Sequence, residues 1–262
     1  MLDRTARLGY WFEGRVGTVL GILFLAYRAL KGFVLERGRG RRVIAQTIAS
    51  QIYFTAVQPL PLFLATALLF GFVVTVEADQ ILPRYGLIYY VPDVIVVSLV
   101  REIAPLIIAL VLIGRTGTAI ATELATMKGN LEVEALDALG VNLDYFIVFP
   151  RLVGVTVAAV CLSVFFDAVA ILGGYFVGSL TELVSLTLRL SQVLSALSVE
   201  TIGYAVFKST LFGATIALSS CHHGLAAGQA TTEVPKASVR SVVTSLLVCF
   251  TVNALVSVYA VL

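Results

Sequence analysis

Charged side chains inside otherwise apolar stretches are the most informative residues of this sequence. Asp93, Arg101 and Glu102 interrupt one such stretch, Asp167 lies in a second and Lys208 in a third. An ionised group is costly to place in hydrocarbon, so it normally faces a cavity, a ligand or a group of opposite charge. These five residues are therefore the candidates for a binding site or for a proton relay.

The segment S-L-V-R-E-I-A-P, which ends at Pro105, combines a charged pair with a proline. Because Pro105 has no N–H to donate to the carbonyl of Arg101, the helix is predicted to weaken or kink beside Arg101 and Glu102. A bend, a guanidinium and a carboxylate at one level would suit an amphiphile with a phosphate head group. The alternative is a salt bridge that holds helices or subunits together, with Lys208 or Asp167 as the partner.

Other patterns for catalysis or ligand binding are weak in this sequence. Adjacent His222 and His223 would point about 100° apart on a helix, so with Cys221 they could form a metal site only on a loop. No G-x-x-x-x-G-K-[ST] phosphate loop occurs, so ATP hydrolysis by that route is not expected. We therefore expect no catalytic residue, no metal and no directly bound cofactor.

The composition requires that membrane-spanning helices position these residues. Of the 262 residues, 59% are hydrophobic and 13% are charged, whereas soluble domains contain about 25% charged residues. The mean hydropathy is +0.97. A soluble domain of this length could not bury so much apolar surface, and intrinsic disorder requires the opposite composition. The predicted fold class is an all-α integral membrane protein.

Five apolar segments are each long enough to cross a bilayer, which takes about 20 residues. The predicted spans are 52–76, 87–113, 146–180, 202–220 and 241–262. Residues 1–35 carry an apolar stripe at spacings of three and four, which predicts an amphipathic helix lying in the membrane interface. A helix packed on the protein's own surface is the alternative. The chain is thus divided into this helix with its basic linker, residues 1–42, and a five-span domain, residues 43–262.

The distribution of basic residues predicts the orientation of the spans. Residues 1–50 hold nine of the 18 Lys and Arg residues against three acidic ones. Loops 114–151 and 221–240 together hold five basic residues, whereas loops 77–86 and 181–201 hold two. The positive-inside rule therefore predicts a cytoplasmic amino terminus and an external carboxyl terminus. In this setting the basic arm is expected to contact anionic lipid and not nucleic acid.

The composition of the predicted loop 114–151 suits contact with a partner protein. Its stretch M-K-G-N-L-E-V-E-A-L-D-A-L-G favours a short acidic helix, and Gly140 suits the left-handed position that ends such a helix. A short helix between two spans is typical of a coupling helix that docks on an ATPase, here through Leu131, Glu134 and Asp137. An ordinary interfacial helix is the alternative.

Four stretches of the sequence resemble the MlaE/YrbE family of ABC-transporter permeases. They are Tyr85 to Pro105, G-R-T-G-T-A-I-A-T-E-L, M-K-G-N-L-E-V-E-A-L and F-K-S-T-L-F-G. The resemblance implies a homodimeric permease in the bacterial inner membrane, with five spans and an amino-terminal interfacial helix in each subunit. It also implies a separate cytoplasmic ATPase that uses ATP, a periplasmic MCE-domain lipid-binding protein, and phospholipids as the cargo.

The same resemblance implies a lipid cavity between the two subunits. Its lining residues in this sequence would be Ile81, Tyr85, Arg101, Glu102 and Ile103. If Tyr85 and Arg101 share one ideal helix, they lie roughly 24 Å apart along its axis. That length suits an elongated amphiphile better than a sugar or an ion.

Two other functions are compatible with the residues alone. A stand-alone secondary transporter would use Asp93, Glu102, Asp167 and Lys208 as a proton relay and would need no nucleotide. A scaffold would only anchor partner proteins and would bind no lipid. An intramembrane enzyme is not expected, because the sequence offers no pairing of a nucleophile with a base.

Overall fold

The computed structural model describes residues 2–35, 40–179 and 195–259, with the backbone alone described for 2–16, 34–35 and 177–179. All regular structure in these residues is helical. The main α-helices are α1 (Leu2–Leu35), α2 (Arg41–Ile52), α3 (Leu60–Ile81), α4 (Val91–Val96), α5 (Ala104–Leu112), α6 (Thr118–Gly129), α7 (Glu132–Ala138), α8 (Phe149–Ser179), α9 (Val199–Leu225) and α10 (Glu233–Tyr259). Short π-helical segments connect several of these helices end to end; they are Tyr53–Val57, Val97–Ile103, Ile113–Gly117 and Asp144–Val148.

Five helical stretches among the described residues are long and apolar enough to cross a membrane. They are Arg41–Tyr85, Ile88–Gly129, Asp144–Phe176, Val199–Leu225 and Glu233–Tyr259. The predicted all-α fold with five spans is therefore confirmed. The predicted external loop 181–201 and the predicted span ends at residues 180 and 262 lie wholly or partly outside the described residues.

The second span is longer than predicted. Residues 114–129 were expected to begin a loop, but they continue the helix through the π-helical segment Ile113–Gly117 and α6. The physical reason is burial, because Ile120, Ala121 and Leu124 of α6 are each at most 2% exposed. A loop could not bury these apolar side chains without leaving its backbone polar groups unpaired.

The first span is irregular at Pro59, as the sequence predicts. The span begins at Arg41 and not near residue 52, so this irregular turn lies inside the span and not at its entry. Pro59 has no N–H, so it cannot donate to a carbonyl in the preceding turn. The guanidinium of Arg115 instead donates to the Phe54 carbonyl at 2.8 Å and to Gln58 Oε1 at 2.9 Å. It also lies 4.8 Å from the centroid of the Phe54 ring. These contacts join the first span to the second beside Pro59.

Close approach of two backbones fixes the first span against the third. A Cβ atom built at Gly71 of α3 would collide with the backbone of Ala170 in α8. One built at Gly174 would lie 2.6 Å from the Gly71 carbonyl oxygen, and it would also collide with the hydroxyl of Thr75. Small residues that let helices approach closely are a common means of association in membranes. Gly71 and Gly174 therefore hold α3 and α8 as one unit.

Helix α9 lies between the other spans and is buried along much of its length. Its Gly213 contacts Thr156 and Ala159 of α8, where an added Cβ atom would lie within 2.9 Å of atoms of both residues. Its Ser220 accepts a hydrogen bond of 2.9 Å from Ser241 of α10. Both serines are buried, so their hydroxyl groups pair across two helices in the interior of the protein.

Helix α1 is apolar on two faces. One face packs on the five-span body through Ile22 and Ala29, which are 7% and 0% exposed. The other face exposes Leu23, Tyr27 and Leu30, each by more than half. The packed face agrees with the alternative prediction, a helix packed on the protein's own surface. The outward face contains residues of the apolar stripe that was predicted to lie in the membrane interface. The side chains of Leu8, Phe12 and Val16, which extend that stripe, lie outside the described side chains.

We predict that Gly71→Val prevents stable folding, because its side chain would meet the backbone of Ala170 and not a movable side chain. Overpacking in a core costs about 1–3 kcal/mol, and a collision with backbone lies at or above the top of that range. Thermal unfolding in detergent and the yield of monodisperse protein measure the effect. Gly114→Val is the matched control, because no atom lies within 4 Å of a Cβ placed there. Equal loss in both variants would contradict the close contact.

Candidate functional site

The ammonium group of Lys208 is the centre of a buried polar cluster. The Lys208 residue is 2% exposed, and its Nζ donates to Glu102 Oε2 at 2.9 Å, to the Arg101 carbonyl at 3.0 Å and to Ser257 Oγ at 3.2 Å. Ser257 in turn donates to the Glu102 carboxylate, with distances of 3.0 and 3.1 Å to its two oxygens. The cluster joins the second, fourth and fifth spans. It contains a salt bridge between Glu102 and Lys208, which is the alternative that the sequence left open.

The backbone beside this cluster is weakened, as predicted. Val97–Ile103 forms a π-helical segment directly before α5, which contains Pro105. Because Pro105 has no N–H, it leaves the Arg101 carbonyl without the donor that a regular helix would supply. Lys208 supplies a donor from another helix. The Arg101 carbonyl, which lacks its helical donor because of Pro105, thus accepts a hydrogen bond from Lys208.

An apolar groove lies between α9 and α10 next to the polar cluster. It has a volume of about 640 Å³. Its walls include Glu200, Tyr204, Phe207, Leu255, Val256 and Tyr259. The Arg101 guanidinium lies 4.7 Å from the centroid of the Tyr204 ring, and Tyr204 is one helical turn from Lys208. A long apolar chain could occupy this groove with a polar head near Arg101.

The predicted lipid-contacting residues are divided between two parts of the structure. Arg101, Glu102 and Ile103 are partly buried in the second span, whereas Ile81 and Tyr85 are 45% and 77% exposed. Ile81 ends α3 and Tyr85 ends the 3₁₀ turn that follows it.

The expectation that Tyr85 and Arg101 share one helix is wrong. Gly86 has a left-handed backbone (φ +75°), which interrupts the helix between Tyr85 and the second span. The 24 Å estimate along one axis therefore does not apply.

The four members of the predicted proton relay are not assembled in one place. Asp93 is exposed in the first turn of α4. Asp167 has one buried carboxylate oxygen without a hydrogen-bond partner, and the partners of Lys208 are Glu102, Ser257 and the Arg101 carbonyl. Of the four residues, the structure brings together Glu102 and Lys208.

The predicted coupling helix is present as α7, and it ends as predicted at a left-handed Gly140 (φ +73°). Leu131 precedes α7 with φ +60°, a conformation that is rare for a side chain of this kind. Leu131 is 50% exposed and Leu139 is 79% exposed, while Asp137 is also exposed. Exposed leucines therefore flank this short helix, which itself exposes the carboxylates of Glu132 and Asp137.

Glu134 of α7 is bound within the chain by the ammonium group of Lys128 at the end of α6. This hydrogen bond lowers the pKa of the Glu134 carboxyl below its ordinary value of 4.5. Glu134 is therefore ionised at neutral pH and stays ionised to a lower pH than a free glutamate, and the ion pair weakens as the pH falls into the acid range. Glu134 thus attaches α7 to α6, in addition to its predicted role toward a partner.

The predicted alternative of a metal site on a loop is wrong. Cys221, His222 and His223 all lie in α9, and His223 Nε2 is 2.9 Å from the hydroxyl oxygen of Thr244 in α10. Within the described parts of the chain, no group of three or more His, Cys, Asp or Glu side chains is placed to hold a metal ion.

Comparison with known proteins identifies the family to which this fold belongs. The sequence profile described as Permease MlaE matches residues 48–259, which include all five spans except the start of the first. The chain belongs to the MlaE permease family. It is therefore a non-catalytic membrane subunit of an ABC transporter, and ABC permeases work with an ATPase partner.

Relatives of this MlaE-family permease have similar lengths. A probable ABC transporter permease protein of Rickettsia typhi is 29% identical over 210 residues, which cover 80% of this chain and 81% of the relative. A protein of the same description from Synechocystis is 28% identical over 261 residues, 98% of this chain and 95% of the relative. One from Porphyra purpurea is 28% identical over 213 residues, 81% of each.

Sequence reasoning identified Lys208 but missed the other residues that α9 and α10 contribute to the candidate site. Tyr204, Phe207 and Leu255 look like ordinary apolar positions of a span, so no signal distinguishes them. Ser257 could have been found, because it ends a stripe of small or polar residues at spacings of four in α10. The stripe is Ser241, Ser245, Cys249, Asn253 and Ser257. Such a stripe inside a span predicts a helix contact and not lipid.

We predict that Lys208→Met destabilises the permease by about 1–3 kcal/mol, because it leaves the Glu102 carboxylate, which is 34% exposed, without its charged partner. The double variant Lys208→Met/Glu102→Gln should recover much of this loss. Ser257→Ala removes one neutral donor and should cost about 1 kcal/mol. Thermal unfolding of all variants in one detergent gives the interaction free energy between Lys208 and Glu102. Additive losses at Lys208 and Glu102 would contradict the ion pair.

Proposed function

We propose that the chain is the permease subunit of an ABC transporter that moves phospholipids between the bacterial inner membrane and a periplasmic MCE-type lipid-binding protein. The observation that carries the proposal is the groove between α9 and α10 beside Arg101. Its walls are almost entirely apolar, which suits acyl chains. The guanidinium beside Tyr204 suits the phosphate of a head group.

A homodimer supports this function by bringing two grooves together. The most apolar stretch of α10 is 17% buried within one chain, the smallest buried share among the five spans. Its exposed side chains include Val243, Leu247, Phe250 and Leu255. A second copy packed against α10 would enclose the open groove, and it would supply Arg101 and Glu102 a second time.

The proposed partner at the other end is the ATPase. Helix α7 exposes Asp137 and is flanked by the exposed Leu131 and Leu139. Exposed leucines beside a carboxylate suit a docking site that has an apolar anchor and a charged rim. In the proposed orientation α7 and the amino terminus are cytoplasmic and the carboxyl terminus is periplasmic, in agreement with the charge distribution. Helix α1 would then lie along the cytoplasmic interface with its exposed apolar face in lipid.

We predict that Leu255→Trp removes co-purifying phospholipid and abolishes lipid transport, because the larger side chain fills the groove. Lipid extraction with mass spectrometry and transport from labelled liposomes measure the two effects. Val258→Trp is the matched control, since Val258 is similarly exposed on the same helix (60%, against 66% for Leu255) but does not line the groove. Normal lipid content and normal transport in Leu255→Trp would contradict the assigned site.

Reversal of Glu102 to Lys is a less specific test of the lipid site. It would place a second ammonium group beside Lys208, so the spans would separate through repulsion. Loss of transport in that variant therefore has to be read with the oligomeric state of the same sample. A folded, dimeric Glu102→Lys variant with normal transport would remove Glu102 from the site.

We predict that the double reversal Glu134→Lys/Asp137→Lys releases the ATPase while the permease stays folded, because charges at a docking site control register and lifetime. Asp137→Lys alone should weaken binding without disturbing the Lys128–Glu134 pair. Co-purification of the two subunits at increasing salt measures the loss. Glu77→Lys, an exposed reversal in α3 at the far end of the first span, is the control. An intact complex after both reversals would contradict the docking role of α7.

A further inference from the structure

The carboxyl-terminal half of α1 combines an exposed apolar face with two cations. Leu20, Leu23 and Phe24 are each 60% exposed. Arg28 lies 5.8 Å from the centroid of the Phe24 ring, and Lys31 lies 6.0 Å from that of the Tyr27 ring. Arg and Lys side chains whose methylene groups cover an apolar face, while the charged group reaches the polar phase, are typical of helices at a lipid surface.

Arg28 also holds α1 to the segment that follows the coupling helix. Its Nε is 2.8 Å from Oδ2 of Asp144, whose side chain is 12% exposed, while the Arg28 side chain is 55% exposed. This bond uses Nε, so the two amino groups of the guanidinium can bind a second anion. Asp144 begins the π-helical segment that leads into α8, six residues after α7 ends at Ala138.

Further contacts attach α1 to the same segment. Phe33 stacks on Phe149 with ring centroids 4.7 Å apart. A Cβ atom at Gly32 would lie 3.4 Å from Cβ of Tyr145 and 3.6 Å from the side-chain nitrogen of Asn142. A shift of α1 therefore displaces residues 142–149. This segment follows α7 in the chain and includes the start of the third span.

We propose that anionic phospholipid head groups bind α1 at Arg28 and Lys31, and that this contact steadies Asp144 and thereby the coupling helix α7. The positive charge on the exposed face of α1 favours an anionic lipid surface as the binding partner. Between Gly17 and Phe33 the chain has two basic residues and no acidic residue. A second copy of α1 on this face would bring like charges together, whereas an anionic bilayer complements them.

The consequence is that the charge of the membrane regulates the transporter. The link to ATP hydrolysis rests on the proposed function, because it requires that α7 docks on the ATPase. The head-group contact itself does not require a bound ATPase, so the two parts can be tested separately.

The first test measures the lipid contact on the full-length permease alone. A fluorophore is attached at Phe24→Cys in a background with Cys161→Ala, since Cys161 is exposed whereas Cys221 and Cys249 are buried. The protein is reconstituted in phosphatidylcholine or in phosphatidylcholine with phosphatidylglycerol, each with a quencher-bearing lipid. We expect stronger quenching with phosphatidylglycerol, and about fivefold weaker dependence on it for each basic residue removed.

Two variants separate head-group binding from the internal ion pair. Lys31→Gln leaves the Arg28–Asp144 bond intact, so a weaker response in this variant cannot come from unfolding of α1. Arg84→Gln removes a basic residue from the far end of the first span and should leave the response unchanged. Inorganic phosphate added to neutral bilayers should also have no effect. Equal quenching in neutral and anionic bilayers, or cross-linking of two chains through residue 24, would overturn the proposal.

The second test measures ATPase activity of the assembled transporter in the same two bilayers. We expect phosphatidylglycerol to raise the rate for the unmodified permease and not for Asp144→Asn, in which the fluorophore at residue 24 should still respond to phosphatidylglycerol. A rate that responds equally in Asp144→Asn would overturn the link through Asp144. If no ATPase binds the permease at all, the proposed function fails, and the quenching result still decides the lipid contact.

Discussion

The buried ammonium group of Lys208 is the constraint on which the arrangement of three spans depends. An unpaired charge in the low-dielectric interior of a membrane protein costs several kcal/mol, about 3–5 when one partner of a buried pair is removed. The oxygens that meet it come from Glu102, the Arg101 carbonyl and Ser257. Since these groups lie on two other spans, the second, fourth and fifth spans must meet at one level, and the groove forms beside that level.

Prolines and cations form a second pattern that occurs twice in this fold. Pro59 and Pro105 each withhold an N–H from the preceding turn, and a cation from another span donates to a carbonyl of that turn. Arg115 does so at Phe54, and Lys208 at Arg101. A backbone carbonyl in hydrocarbon needs a hydrogen-bond donor. Each proline leaves one carbonyl without its helical donor, and a side chain from another span donates in its place. The irregular turns thus become points where spans are joined.

The sequence was sufficient for those features that depend on composition or on local pattern. Apolar length predicts the five spans, Pro105 predicts the weakened turn, and the left-handed Gly140 predicts the end of α7. Other features depend on contacts between distant residues. The continuation of the second span through α6 follows from burial against other helices, and the groove follows from the packing of α9 on α10. The break at Gly86 separates Tyr85 from Arg101, and a glycine near a span end carries no unique signal for it.

The stripe of small and polar residues in α10 repeats every four residues, so its middle cannot fix how far the helix is inserted. Sliding α10 by one repeat, about 6 Å along its axis, would replace each contact residue by one of similar size. Ser257 distinguishes the registers, because a slide in either direction would take its hydroxyl away from Glu102, whereas Ser245 could replace Ser241 beside Ser220. The depth at which α10 is inserted is therefore specified by the Ser257 hydroxyl group. The apolar surface of α10 would pack similarly at either depth, so it stabilises the contact without fixing the depth.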